Sequence, residues 1–289
     1  MRSVAPPLVD HAPALAKPPA RRRRGRVPFF VGVALTGLTL AMAALAPLFS
    51  PTDLHEHDDL ALLASPSAAH PLGTDEDGAD VLTHLLHGAR VAVAVGLLTV
   101  LFSLVVGLAV GLLAGYAGGL ADELLMRFTE LLLSFPGILL AILIIFVTQE
   151  PSILTVVFAL SVTGWAGYAR LVRGQVLLVK RQEFIGAVRC LGANPLRIAL
   201  FHILPNVLGP VIVQATFGVA SAILAEASLS FLGLGPQGVP SWGAMLEQGA
   251  ALFIKSPTLA LGPGLAIVWT VMGVNLLGDA LRDRLDPHA

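Results

Sequence analysis

Six apolar stretches, at 28–49, 90–116, 124–148, 153–172, 204–226 and 260–280, constrain this chain more than any other feature of it. Each has about 20 residues or more, the length a helix needs to cross about 30 Å of hydrocarbon. Of the 289 residues 55% are hydrophobic and only 13% charged, and the mean hydropathy is +0.80. A soluble domain of that composition would aggregate, so the pattern predicts an all-α integral membrane protein with six transmembrane helices. Gln149, Glu150 and Pro151 leave only a short break after the third run, which predicts a helical hairpin there. Gly107, Gly111 and Gly115 repeat at helical spacing in the second run. That spacing allows close backbone approach to a neighbouring helix, and is equally compatible with the ordinary tolerance of membrane helices for glycine.

Basic residues sort by side. With the amino terminus in the cytoplasm, the arginines at 21–24, Arg26, Arg127, Arg170, Arg173, Lys180, Arg181, Arg189, Arg197, Arg282 and Arg284 all fall on the cytoplasmic side, and only Arg90 and Lys255 fall outside. The acidic segment with Asp53, Glu56, Asp58, Asp59, Asp75, Glu76, Asp77 and Asp80 then faces outward. The expected organisation is a disordered basic tail (1–27), a first transmembrane helix (28–49), an extracytoplasmic loop (50–89), a five-helix core (90–281) and a short cytoplasmic tail (282–289). The arginine run, the apolar stretch and Ala44-Leu45-Ala46 imitate a signal peptide, but the stretch exceeds the usual h-region, so retention as an anchor helix is expected. The arginines of the tail can also contact anionic lipid headgroups. A net charge of -1 gives no support for nucleic-acid binding. A single cysteine, Cys190, excludes an intramolecular disulfide and a CxxC site, and reads as a small residue on a packed helix face.

Between the fourth and fifth apolar runs lies a polar hairpin at 183–205, on the cytoplasmic side of this topology. Phe184, Val188 and Leu191 stand at i, i+4 and i+7 and predict one apolar stripe on a short helix beginning near Glu183. Gly192 suits a left-handed stop. After Ala193, Asn194 can cap a second helix and Pro195 fits its first position, where a missing N–H costs nothing. Pro205 is expected to close the unit before the next membrane run. A hairpin of this kind on an otherwise membrane-embedded chain points to a soluble partner.

Elsewhere, Thr74 and Asp77 have the spacing of a helix-start capping box. The Asp75, Asp77, Gly78, Asp80 pattern lacks the glycine position and distal Glu of an EF-hand, and His57, His70 and His84 are spaced too irregularly for a metal site. Pro136 should kink the third span and free carbonyls, so it is a pathway or gate candidate. Arg127 and Glu130 can pair on that helix. Glu226 lies in the fifth span, where an unpaired charge would cost about 3 kcal/mol, and is a second candidate with Ser228 beside it. An interfacial helix-end position is its plainer alternative. Trp242 reads as an interfacial anchor.

A series of landmarks then runs in order: His70-Pro71-Leu72-Gly73-Thr74-Asp75, Gly88-Ala89-Arg90, Ser134-Phe135-Pro136, the hairpin, Ala225-Glu226-Ala227-Ser228-Leu229-Ser230-Phe231-Leu232-Gly233-Leu234-Gly235, and Pro240-Ser241-Trp242-Gly243. Over roughly residues 70–280 the chain resembles the dipeptide, oligopeptide and nickel class of ABC importer permeases, and the hairpin resembles their EAA loop. That resemblance implies the type I importer permease fold, an inner-membrane location, and coupling to ATPase subunits through Glu183, Phe184, Ala187, Val188, Leu191, Gly192, Ala193, Asn194, Pro195 and Pro205. It also implies a second, homologous permease chain, two ATP-binding subunits that carry the ATP and Mg, and an extracytoplasmic solute-binding protein delivering a small solute, with di- or oligopeptides ahead of nickel complexes. The chain has no GxxxxGK[ST] loop, so no cofactor is expected in it. One departure stands out: aligned on Gly192, the Glu-Ala-Ala that names the motif is Gly186-Ala187-Val188 here, with Glu183 one turn earlier. Asp77, Ala79 and Glu130 are milder departures. An intramembrane serine protease would need a histidine inside the membrane, and the eight histidines lie in tails, loops or interfaces. An ion-coupled transporter would favour paired ionisable groups near the midplane, which the sequence lacks.

Overall fold

The computed structural model describes residues 26–49 and 61–285. The expected tail through residue 25, loop residues 50–60 including His57, and residues 286–289 lie outside them. Among the described residues the structure is helical apart from loops and one isolated bridge between Thr74 and Asp80. The elements are α1 (Arg26–Phe49), α2 (Val81–Ala117), α3 (Gly119–Leu133), α4 (Gly137–Thr148), α5 (Ile153–Val179), α6 (Glu183–Cys190), α7 (Pro195–Arg197), a π-helical segment (Ile198–Ile203), α8 (Leu204–Phe231), α9 (Trp242–Ala251) and α10 (Thr258–Leu285). Five helices are long and apolar enough to cross a membrane, and α3 with α4 makes a sixth if the bent pair counts as one span. The six apolar runs thus all become helix. Their ends moved: α2 begins at Val81, well ahead of residue 90, because Asp80 caps it by accepting from the Thr83 amide at 2.8 Å.

Small residues organise the centre. A Cβ added at Gly111 would sit 2.5 Å from the Ala169 carbonyl oxygen and 2.7 Å from Val172 Cβ, and one at Gly115 would sit 2.8 Å from Val176 Cβ. The glycine repeat is therefore a contact seam, and the open question about it is answered in favour of close approach. Residue numbers rise together along the seam, so α2 and α5 run parallel, and α3–α4 is the return stroke between them. Lys180, just beyond α5, donates to the Tyr116 carbonyl at 2.5 Å and places its cation at the carboxyl end of α2. This fixes one end of the bundle, the hairpin face. The chain leaves that face along α8 and reaches the opposite end, the loop face, where the Trp242 indole N–H donates to the Leu85 carbonyl of α2 at 2.9 Å.

α1 and α10 pack antiparallel. Thr39 and Thr270 share a 2.7 Å hydroxyl hydrogen bond, and a Cβ at Gly32 would meet Gly273 and Leu277 backbone atoms at 3.0 Å. At the hairpin face the Arg284 guanidinium lies 4.1 Å from the Phe29 ring centroid, so both described ends of the chain emerge there. The buried side chains form three clusters: one around Trp242 and Met245 at the loop face, one joining α4 and α5 through Ile145 and Val157, and one under the hairpin around Ile185, Ile198 and Ile203.

The seam yields a test. Gly111→Leu should destabilise the protein by about 1–3 kcal/mol, because backbone on the α5 side cannot yield, whereas Gly37→Ala, with nothing within 4 Å of the added Cβ, should be neutral. Thermal unfolding of the two detergent-solubilised variants checks both.

Candidate functional site

The hairpin is built on a fixed stop. Gly192 has φ +78, where a Cβ is disfavoured. The Gly192 amide donates to the Arg189 carbonyl at 2.9 Å and the Ala193 amide to the Val188 carbonyl at 3.3 Å. This pair of bonds is a Schellman motif, which ends α6 in a defined direction. Asn194 then caps the next helix, its side-chain oxygen accepting from the Leu196 amide at 3.1 Å, with Pro195 at the first helical position. Local sequence rules thus place Gly192, Asn194 and Pro195 where the chain has them.

Pro205 does not close the unit. α7, the π segment and α8 form one uninterrupted helix from Pro195 to Phe231. The wider π turn directly before Pro205 takes up its ring and missing donor, and the Asn206 side-chain amide donates to the His202 carbonyl at 2.7 Å. The second limb of the hairpin is therefore the start of a membrane helix, with no joint between them.

The apolar stripe divides. Ile185 is fully buried, and Val188 and Ala193 pack beside it on Val176, Val179 and Ile198. Phe184 and Leu191 point away from the bundle, and Leu191 is 87% exposed. Leu196 and Phe201 join them at 64% and 71%. The expected single stripe is thus a buried anchor plus an outward apolar patch, because Ile185, absent from the i, i+4, i+7 count, takes the inward position. Ala187, Glu183, Gly186 and Cys190 are also exposed, so Cys190 is not on a packed face. Arg181, Arg189 and Arg197 are exposed, and neither they nor Glu183 form an ion pair among the described residues.

At Pro136 the third span breaks completely. α3 and α4 meet at 84° across Ser134-Phe135-Pro136. Behind this elbow lies an apolar cavity of 480 Å³ bounded by Phe102, Phe158 and the stacked pair Phe128 and Trp165, whose centroids are 6.1 Å apart. Arg127 and Glu130 form no ion pair among the described residues. The pair that exists is Asp122 with Arg173, a two-pronged contact at 2.5 and 2.7 Å from the first turn of α3 to α5. It joins residues 51 apart, which helical spacing cannot find.

Glu226 is 1% exposed, buried within the protein near the loop-face end of α8. Ser230 donates to its Oε1 at 2.7 Å, and the side chain lies near Ser241, the N-cap of α9, whose hydroxyl oxygen accepts from the Ala244 amide at 3.2 Å. Ser228 is half-buried, its hydroxyl bonded back to the Leu224 carbonyl at 2.8 Å. Trp242 is 1% exposed and packs against Gly88, so it is a core residue and no membrane anchor. A tryptophan flanked by Ser241 and Gly243 carries no sequence signal that distinguishes the two.

In the loop before α2, Thr74 makes no capping box with Asp77. Its hydroxyl donates to the Ala61 carbonyl and accepts from the Ala64 amide at 2.8 Å, folding the loop on itself. Asp75 accepts from the Asp77 and Ala79 amides at 3.0 and 2.8 Å and lies 3.5 Å from the His84 ring nitrogen, while His70 meets Asp80 at 3.2 Å. Among the described residues no three His, Cys, Asp or Glu side chains converge as a metal site.

Parallel close-packed spans, a broken span, and a rigid hairpin continuous with a membrane helix define a polytopic membrane protein built like a transporter permease. The fold is that of the solved inward-facing MetNI methionine ABC transporter, with a TM-score of 0.58 at 21% identity, covering 70% of this chain and 96% of that one. Residues 107–289 match the family described as binding-protein-dependent transport system inner membrane component, and the chain belongs to that family. It is 40% identical over 258 residues to the dipeptide transport system permease protein DppC of Alkalihalophilus pseudofirmus, covering 89% of this chain and 84% of that protein. The oligopeptide permease protein OppC of Bacillus subtilis is 37% identical over the same shares, and the glutathione permease protein GsiD of Shigella flexneri serotype 5b is 44% identical over 86% and 83%. The chain is thus an importer permease subunit, as its landmarks imply.

The folded loop carries a pH prediction. Burial pushes the Asp75 carboxyl up, but the His84 side chain and the Ala79 and Asp77 amides outweigh it and hold the group below its ordinary value. A lowered folded pKa contributes stability that is complete above about pH 4 and is lost as pH falls through the folded value. Limited proteolysis within residues 61–80 should therefore accelerate only below about pH 4, and Asp75→Asn should make the loop protease-sensitive at neutral pH.

Proposed function

We propose that this chain is one of two homologous permease subunits of an ATP-driven importer in the cytoplasmic membrane, with both termini and the hairpin in the cytoplasm. Its solute is a small one delivered by an extracytoplasmic binding protein, with di- or oligopeptides first. The names of its relatives support the peptide class, since dipeptides, oligopeptides and glutathione are all short amide-linked solutes. The excess of arginine at the hairpin face supports the orientation. Two partner subunits bind ATP and Mg and hydrolyse the nucleotide; this chain supplies no nucleotide loop.

One observation carries the coupling role. The hairpin presents Phe184, Leu191, Leu196 and Phe201 outward from a unit that Ile185, the Gly192 turn and the Asn194 cap hold rigid. An apolar patch on a rigid element facing water marks a docking surface. Closure of the ATPase pair on ATP then moves the hairpin, and because Pro195 to Phe231 is one helix, that motion is delivered into the membrane. Glu183, Ala187 and Val188 flank the contact, Ala193 seats it, and Pro205 marks where the lever enters the membrane segment. Pro136 gives the pathway its movable elbow, and the half-buried Ser228 offers it a hydroxyl on α8. Glu226 serves by fastening α9 and does not line the pathway.

Gly192→Val tests the lever. A β-branched residue at φ +78 costs about 1–2 kcal/mol and reorients the two limbs. Uptake per ATP in proteoliposomes should fall at least about tenfold while hydrolysis continues and the protein remains membrane-inserted. Purification of the tagged full chain, with mass-spectrometric identification of what accompanies it, should recover an ATP-binding subunit. Recovery of the chain without one, or wild-type coupling in the variant, overturns the assignment.

A further inference from the structure

The exposed side of the hairpin is cationic as well as apolar. Arg181, Arg189 and Arg197 are exposed on the same hairpin as Leu191, Leu196 and Phe201, with Glu183 the sole exposed acid among residues 181–201. None of these four charges has an ion-pair partner among the described residues. Lys180, by contrast, is turned inward onto the Tyr116 carbonyl. The position at which an acid is missing is sterically free: a Cβ at Gly186 meets nothing within 4 Å. Packing within this chain therefore does not keep an acidic side chain out of that place.

From this we infer that the hairpin is matched to an ATP-binding subunit whose facing cleft is apolar at its floor and lined by carboxylates at its rim. The inference rests on the docking role proposed above and specifies its partner's charge. Unpaired guanidiniums on the same hairpin as an apolar patch attract such a rim at long range and orient the docking, and acidic rim groups repel a carboxylate introduced among them. Arginine suits the role because its planar fork binds a carboxylate through two hydrogen bonds. Glu183, at the start of α6, leaves the surface with a net charge of +2 from three arginines and one glutamate.

The test uses the full-length chain in detergent or nanodiscs and the ATP-binding subunit identified in the purification above, with affinity measured at low and high salt. The wild-type affinity should weaken steeply between about 0.05 M and about 0.5 M salt. Arg189→Glu with Arg197→Glu should weaken it by roughly ten- to a hundredfold at low salt. Gly186→Glu should bind more weakly than Gly186→Gln, which has the same shape and helix preference without the charge. Leu191→Asp, which disrupts the apolar floor, should release the subunit in either case. If Leu191→Asp releases it while salt, the arginine reversals and Gly186→Glu have no effect, the acidic rim is wrong, docking stands, and the arginines serve lipid headgroups. Tighter binding of Gly186→Glu would equally overturn the inference. If Leu191→Asp also binds normally, the docking role itself fails. All the substituted side chains are exposed, and unchanged thermal unfolding of each variant confirms that the comparison is between folded proteins.

Discussion

The glycine seam between α2 and α5 is the constraint on which the rest of the structure depends. With no hydrophobic drive between helices inside a bilayer, close van der Waals contact must supply the association, and only small residues permit it. Gly107, Gly111 and Gly115 let α5 lie against the backbone of α2, with residues from Tyr168 to Val176 filling the space a side chain would take. Both helices then point the same way. A parallel pair requires a return stroke, which α3 and α4 provide, and it brings the end of α5 beside the end of α2. Lys180 and the Asp122–Arg173 contact fasten that junction, so the hairpin starts from a fixed point.

For the proposed coupling role, the hairpin is built to transmit rather than bend. Its first limb is anchored by Ile185 and stopped by Gly192, and its second limb is the beginning of α8. A helix interrupted at Pro205 would absorb displacement at a joint. The π segment keeps the hydrogen-bonded ladder running past the proline, so a push on Leu196 or Phe201 is carried along the same rod. The exposed apolar residues and the rigid path behind them belong to one design: a docking surface is useful only if what it touches moves something.

Sequence reasoning read the parts of this arrangement that are local. Periodicity located the apolar helices, and the chemistry of Gly192, Asn194 and Pro195 predicted the turn and cap, because φ preference and N-cap geometry are set by neighbours within four residues. It misread residues whose role depends on distant partners. Trp242 was expected at a membrane interface, yet it is buried because Gly88, far away in the chain, leaves room for its ring. Glu226 is buried against the start of α9, which follows it at a distance in the chain, and Asp122 pairs with Arg173 where the neighbouring Arg127 and Glu130 do not pair. Pro205 does not stop the helix because the chain adopts a π register directly before it, which the local sequence does not signal. The division of the hairpin stripe was missed for a simpler reason: counting at i, i+4 and i+7 passed over Ile185.

The loop face is fastened more firmly than the elbow, and this asymmetry says where motion can occur. Ala227 and Ser230 of α8 pack closely on Gly243 of α9, Trp242 ties α9 to α2, and the Gln237 amide donates to the Pro151 carbonyl at 2.9 Å, linking that loop to the α4–α5 connection. These contacts are buried or backbone-borne and bind four elements together. α3, by comparison, has one buried residue, Thr129, and is held chiefly by Asp122 and the stacking of Phe128 on Trp165. It ends at the hydrogen-bond gap of Pro136 beside an apolar cavity. α3 is thus the least secured of the helices, and it packs on α2 and α5 rather than on α8. The Glu226 side chain, buried and bonded to Ser230, belongs to the firmly fastened loop face of the molecule.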